Sequence, residues 1–234
     1  MKKDISGLEQ SIEVTFENKD LLRQALVHRS YLNEHRDFPL EHNERLEFLG
    51  DAVLELIVTE HLYKNYPNPE GELTNWRASL VNSQMLAMIA EQMSIEPYLY
   101  LSRGEAKEEN SKARNSILAN SVEAIIGAIY LDTGYDTAAT FIHRVIISKL
   151  PFILKNKLYM DAKSRLQETA QEKVGVTPSY KVMEESGPDH QKTFVVAVQL
   201  QDEQIALGTG TSKQEAQMNA AELALKAKGW LAQD

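Results

Sequence analysis

Residues 43–51 read NERLEFLGD and set Glu44, Glu47 and Asp51 into a segment otherwise apolar enough for a protein core. On a helix turning ~100° per residue, Glu44, Glu47, Asp51 and Glu55 fall at roughly 0°, 300°, 340° and 20°, a single narrow stripe. Around it lie Leu46, Leu49, Ala52, Val53, Leu54, Leu56, Ile57 and Val58, so the helix should be largely buried. Like charges at this spacing repel by a few tenths of a kcal/mol per pair when exposed, about 0.2–0.5, and by more where water is excluded. Two kinds of compensation are open. The stripe is the solvated edge of an amphipathic helix, or is neutralised by Arg45, Arg77 or Arg114; alternatively it cages a hard cation, since Mg²⁺ and Mn²⁺ take oxygen ligands.

Two further places carry the same kind of chemistry. Glu70 and Glu72 in NPEGEL read as a loop in which Gly71 allows a tight turn, and ordinary loop polarity explains them as well as a functional role does. In ILANSVEAIIGAIYLD, Asn120 and Glu123 stand one turn apart on another apolar helix. Glu123 is the odd residue among Ile117, Leu118, Ile125, Ile126 and Ile129, and could answer an arginine or a metal.

The elements that must hold these residues divide the chain in two. Residues 1–156 read as helices almost throughout: DLLRQALVHRSYL places Leu21, Leu22, Ala25 and Leu26 at helical spacing, RASLVNSQMLAMIAEQM repeats the pattern, and SVEAIIGAIYLDTG closes at Gly134. Residues 161–230 change period. DAKSRLQETAQEKVG is a helix ending near Gly175, PSYKVMEES alternates, and TFVVAVQLQ puts Phe194, Val196, Val198 and Leu200 on one face. After DEQ turns the chain into IALGTGT, SKQEAQMNAAELALKAKGW closes as a helix whose small-residue face is Ala216, Ala220, Ala221 and Ala224. The expected fold class is a mainly α amino-terminal domain followed by a small α+β domain of order α-β-β-β-α.

Hydrophobic content of 43% supplies a real core, and the absence of cysteine excludes disulfides, thiolate metal sites and cysteine nucleophiles. The two lysines at the amino terminus have no apolar run behind them, and no uninterrupted apolar stretch approaches the ~18 residues of a bilayer span, so a soluble, cytoplasmic protein is expected. The net charge of −9 argues on its face against a nucleic-acid partner. Dividing at Lys157 leaves 8 Lys/Arg against 11 Asp/Glu in the second part, so nucleic-acid binding there would rest on local placement. One such placement is visible. SKQE reads as a capping box with Ser212 at the N-cap and Glu215 three residues on, which sets Lys213 at a helix amino terminus where the macrodipole disfavours cations. A phosphate would satisfy both the lysine and the free N–H groups; a solvated lysine tolerated at small cost is the plainer reading.

NERLEFLGDAVLEL resembles the signature stretch of the ribonuclease III family, with ALVHRSYLNE before it and EGELTNWRASLVNSQMLA and RNSILANSVEAIIGAIYLD after it. SRLQE, GPDHQKTF and GTGTSKQEAQMNAA are similar to the double-stranded RNA-binding domain that follows the nuclease domain in bacterial members. The resemblance spans nearly the whole chain, in the expected order. It implies a homodimer that hydrolyses double-stranded RNA with Mg²⁺ or, as a substitute, Mn²⁺, leaves 5′-phosphate and 3′-hydroxyl ends, and processes ribosomal and other structured RNA.

Position by position, the resemblance makes Glu47, Asp51, Asn120 and Glu123 the metal ligands, with Asp51 and Glu123 central to catalysis, and Glu44 and Glu70 substrate-positioning. It makes Gln167 and Glu168 contacts to sugar hydroxyls, His190 a contact in a second minor groove, and Lys213 a phosphate contact. Two departures stand out. The family usually has an aspartate where this chain has Asn120, whose amide oxygen can ligate a hard cation without adding charge. A duplex-binding protein with attenuated or no cleavage is therefore the alternative. Beside Lys213, where family members usually place further basic residues, stand Gln214 and Gln217. Gly50 and the apolar excess of its helix fit packing against a symmetry mate, or equally packing within one chain.

Overall fold

The computed structural model describes residues 3–107, 111–188 and 191–230. It falls into two compact units, Met1–Phe152 and Ile153–Asp234.

The first unit is helical: α1 (Ser6–Ile12), α2 (Lys19–Ala25), α3 (Arg29–Glu34), α4 (Glu44–Asn65), α5 (Glu70–Val81), α6 (Ser83–Gln92), α7 (Lys112–Thr133), α8 (Tyr135–Val145) and α9 (Leu150–Lys155), which crosses the boundary. Its centre is α7 packed on α4, α6, α8 and α2. Val122, Ile125, Ile126 and Ile129 of α7 and Leu54, Ile57 and Val58 of α4 are buried there.

The two longest helices touch backbone to backbone. A Cβ added at Gly50 would lie 1.7 Å from the carbonyl oxygen of Glu123, and one at Gly127 would lie 2.2 Å from that of Leu46. Gly50 therefore faces α7 of its own chain, the second of the two packings its sequence left open.

Several helices stop earlier than periodicity suggests. DLLRQALVHRSYL divides into α2 and α3 because Val27 leaves the helix to pair with Tyr100, with Tyr100 N–H donating to Leu26 O at 2.9 Å and His28 N–H to Tyr100 O at 3.1 Å. RASLVNSQMLAMIAEQM breaks at Asn82, whose side chain accepts from Met85 N–H at 2.9 Å and caps α6. Glu70 and Glu72 occupy the first turn of α5 rather than a loop. Pro69 ahead of them fixes the entry, and acidic residues favour a helix amino terminus. Residues 135–155 match a bilayer span in length and composition, but a 3₁₀ turn at Ile147–Lys149 interrupts them, and Phe141, Ile142, Ile146 and Leu150 are buried.

The second unit consists of α10 (Ala162–Val174), β1 (Ser179–Ser186), β2 (Thr193–Leu200), β3 (Glu203–Gly210) and α11 (Lys213–Ala227). The antiparallel sheet has order β1-β2-β3. Central β2 buries Phe194, Val196, Val198 and Leu200 as its alternation predicts. Edge strand β1 is mostly exposed and shifts register between Val182 and Glu184, so its alternation signals only Tyr180. The alanine face of α11 sits directly on β3, where a Cβ at Gly208 would lie 2.1 Å from Ala220 N.

Because neither backbone at the α4–α7 crossing can give way, Gly50→Ala and Gly127→Ala should each lower stability in denaturant titrations by at least ~1–3 kcal/mol, as overpacking does. Gly71, with nothing within 4 Å of an added Cβ and a helical position in α5, is the control: Gly71→Ala should raise stability by ~0.5–1 kcal/mol.

Candidate active site

The close approach at Gly50 and Gly127 decides what the neighbouring side chains meet. Glu47 and Asp51 precede and follow Gly50 on α4; Asn120 and Glu123 lie two turns and one turn before Gly127 on α7. The four gather at the crossing. Burial pushes the Glu123 carboxyl up to about 7, with the charges of Asp51 and Glu47 adding to it. Glu47 is raised by burial and by Glu44 and Asp51, while a hydrogen bond from Asn120 acts the other way. Among the described residues, no Lys or Arg ion pair engages Glu47, Asp51 or Glu123.

The rest of the acidic stripe is accounted for differently. Glu55 is paired with Arg77 of α5 at 3.0 Å, so the neutralised reading holds for it. Arg114 is committed to Glu96 by Nε at 2.8 Å and by a second nitrogen. Glu44, at the rim, faces Arg29 at 3.5 Å and His42 at 3.8 Å. Glu70 accepts from the Thr74 hydroxyl at 3.0 Å and lines a groove with Tyr63, Tyr66, Leu73 and Arg77. That groove is at the far end of α4, ~20 Å along the helix from Asp51 at 1.5 Å per residue. Within one chain Glu70 does not join the centre.

The donor set fits a hard divalent cation: three carboxylates and an amide, all oxygen donors, with no thiolate or imidazole among them. Among the described residues, no three His, Asp or Glu side chains already converge as a finished cage. Asn120 donates to Glu47; a carboxylate in its place would add charge to the centre.

A residue that the sequence reading missed sets the entry of α4. Asn43 is 3% exposed, donates from Nδ2 to Ala25 O at 3.2 Å and from its backbone N–H to Val27 O at 2.9 Å, and accepts from Glu47 N–H at 2.9 Å. Its position before an apolar helix resembles an N-cap, but its side chain makes no cap bond. The long-range partners that give it its role leave no local signature.

In the second unit, Gln167 and Glu168 are exposed on α10, and Glu168 faces Lys157 at 3.4 Å. Lys213 is exposed at the start of α11, 3.9 Å from Glu185 and 5.6 Å above the Phe194 ring. Ser212 caps α11 by accepting from Glu215 N–H at 3.1 Å, while the Glu215 carboxylate accepts from Thr211 N–H at 2.7 Å, one residue earlier than a simple capping box requires. His190 lies outside the described residues.

The helical unit with its acidic crossing and the α-β-β-β-α module that follows it are each matched by a family model. Residues 18–150 match the Ribonuclease-III-like family model, and residues 162–228 match the double-stranded RNA binding motif. The chain belongs to the ribonuclease III family. It is 44% identical to Ribonuclease 3 of Borreliella burgdorferi over 227 residues, covering 97% of this chain and 92% of that protein. With Ribonuclease 3 of Natranaerobius thermophilus it shares 45% over 225 residues, 96% of each. The nuclease domain of ribonuclease III from Campylobacter jejuni, solved in a study of flexibility in the region involved in dimer formation, superposes with a TM-score of 0.55 at 41% identity. The match covers 63% of this chain and 99% of that one.

The raised carboxyl of Glu123 has a thermodynamic consequence. Between pH 4.5 and about 7 the folded state holds a proton there that the unfolded chain releases, so this group costs stability as pH rises through that window, and the cost is complete above it. In EDTA at pH 8, Glu123→Gln should therefore melt higher than the parent. After discounting for the solvent that still reaches the carboxyl, the gain should be ~1–2 kcal/mol. At pH 4 the two should melt alike; equal melting at both pH values would show that the carboxyl is not electrostatically stressed.

Proposed function

We propose that this chain is a divalent-metal-dependent endoribonuclease that cuts double-stranded RNA to leave 5′-phosphate and 3′-hydroxyl ends. The observation that carries this reading is the gathering of Glu47, Asp51, Asn120 and Glu123, without a pairing cation side chain among the described residues, at one crossing of two core helices. These four would hold the metal, Mg²⁺ with Mn²⁺ as a substitute. When bound, it supplies neutralisation of the phosphodiester, a lowered pKa for the attacking water and stabilisation of the leaving oxygen. The protein's own part is positional. Asn43 fixes the first turn of α4, the apolar faces of α4 and α7 limit water at the crossing, and Glu44 at the rim, steered by Arg29 and His42, orients the strand.

We also place the protein in the cytoplasm, acting on ribosomal and messenger RNA precursors as a homodimer. Support for the dimer comes from an exposed stripe on α4. Phe48 is 82% exposed, Leu56 58% and Tyr63 81%, at spacings that share one helix face. The position of Glu70 points the same way, since a role for it at an acidic centre requires a second copy. In sedimentation at micromolar concentration the chain should run as a dimer, and Phe48→Glu with Leu56→Glu should run as a monomer.

The second reading, a duplex binder with weakened cleavage, is favoured by one contact: Asn120 donates to Glu47 where an aspartate would add charge toward a cation. Both readings meet in one assay, a labelled duplex of about 30 base pairs, long enough for a module that spans ~16, with Mg²⁺ titrated and binding followed by gel shift. Endonucleolytic products with 5′-phosphate ends, reduced by ~100-fold or more in Glu123→Ala, are expected, since removing a ligand forfeits several kcal/mol of transition-state stabilisation. Asn120→Asp should lower the Mg²⁺ needed for half-maximal rate, because affinity follows ligand charge. Binding without cleavage at every Mg²⁺ level would instead establish the second reading.

A further inference from the structure

The second unit must hold a polyanion with few cations, and several of these face carboxylates. Lys192 lies 2.9 Å from Glu185, Lys226 2.9 Å from Glu222 and Lys228 3.3 Å from Glu203. Lys213 shares Glu185 at 3.9 Å, and Gln214 and Gln217, which follow it on α11, carry no charge. Lys163 is placed differently. It stands in the first turn of α10, and its ammonium crosses to α11, donating to Gln217 Oε1 at 2.6 Å and lying 5.0 Å from the centroid of the Tyr180 ring. Both partners are neutral. Asp161 also senses this charge, but its oxygens accept from Lys163 N–H at 2.9 Å, Ser164 N–H at 3.0 Å and the Ser164 hydroxyl at 2.7 Å, which commits them to capping α10. The hollow beside the ammonium is lined by Asp161, Lys163, Gln167, Tyr180, Gln214 and Met218 among others, so Lys163 opens on the same concave surface as Gln167, with the capping carboxylate of Asp161 at its edge.

We infer that Lys163 is a phosphate-binding residue of the duplex site, carried from α10 to the part of α11 where Gln217 has no charge of its own. This rests on the reading of α10 and α11 as the face that meets the RNA. An ammonium has three N–H donors; Gln217 takes one and leaves two for phosphate oxygens. The Tyr180 ring and the Gln217 amide fix an otherwise flexible side chain before the ligand arrives, which lowers the entropy lost on binding. Gln217 thus acts as a positioning residue, turning a lysine of one helix into a cation of the other.

The competing role for Lys163 is a brace between the two helices, and salt separates them. A phosphate contact releases a counterion and contributes to the slope of log K against log salt; a brace contributes to melting temperature and leaves the slope alone. Lys163→Met keeps an unbranched apolar stem against Tyr180 and removes the charge. Binding of the full chain to the 30-base-pair duplex would be measured in EDTA from 0.05 to 0.3 M KCl, with duplex integrity checked on a gel. For Lys163→Met, a slope shallower by about one and roughly fivefold weaker binding at 0.15 M are expected. Adding Gln217→Lys to that variant should restore both. A parental slope in Lys163→Met overturns the proposal, whether or not the variant melts lower. Lys213→Met and Gln167→Ala in the same assay distinguish the two levels. If they weaken binding while Lys163→Met does not, only the role of Lys163 falls; if all three are silent, the α10–α11 face is not the RNA site and the proposal falls with it.

Discussion

The contact on which the candidate centre depends contains no side chain. Gly50 and Gly127 let α4 and α7 meet backbone to backbone, and the carboxylates within about one turn of them are carried into each other's fields by that approach. With ordinary residues at the crossing, two helices sit 8–10 Å apart and their flanking side chains interdigitate. Here the missing Cβ atoms draw the axes together. The apolar faces that make α4 and α7 a core also remove water from Glu47 and Glu123, so the packing that stabilises the first unit is what raises these carboxyls. The stability of the first unit and the electrostatic stress of the candidate centre come from one contact, with opposite signs.

Elsewhere in the first unit two carboxylates are answered by arginines, half-buried Glu55 and exposed Glu96. Arg77 reaches Glu55 on the same helix face, and Arg114, itself buried, is used on Glu96. An arginine aimed at the crossing would relieve the repulsion there in the same way, and the fold has brought two within a few turns of it. That the crossing is left without one among the described residues is the local inconsistency expected of a functional site, where stress is retained because a ligand relieves it.

How much of this was legible follows from the range of each interaction. Period gave the two units, the helices of the first and the buried face of β2, because those signals lie within a few residues. The acidic stripe was visible for the same reason, including its angular width. Its division was not: Glu55 finds Arg77 22 residues away, and Asn43 finds Ala25 18 residues earlier, partners that only the tertiary fold brings together. A glycine on a helix face announces a close approach but not with whom, so Gly50 fitted packing on a symmetry mate and packing within one chain equally well until the fold set it against α7. Gly71 misled in the other direction. A glycine between two glutamates after proline looks like a turn, but Pro69 serves as the entry to a helix, and the first turn tolerates the glycine.

The second unit shows why whole-chain charge was a poor guide. A module that reads A-form geometry through hydroxyls and a few phosphates needs cations at particular points rather than a basic surface. The exposed pairs of Lys226 with Glu222 and Lys228 with Glu203 contribute little to stability and cancel in the net charge, leaving the placement of the remaining lysines to matter. Modest affinity is also sufficient for such a module when it is covalently joined to a nuclease. The segment from the end of α9 at Lys155 to the start of α10 at Ala162 is short, and a short tether sets an effective concentration on the order of millimolar. Strong binding by the module alone would mainly slow product release, so an acidic chain with a sparse set of well-aimed cations is consistent with turnover rather than opposed to it.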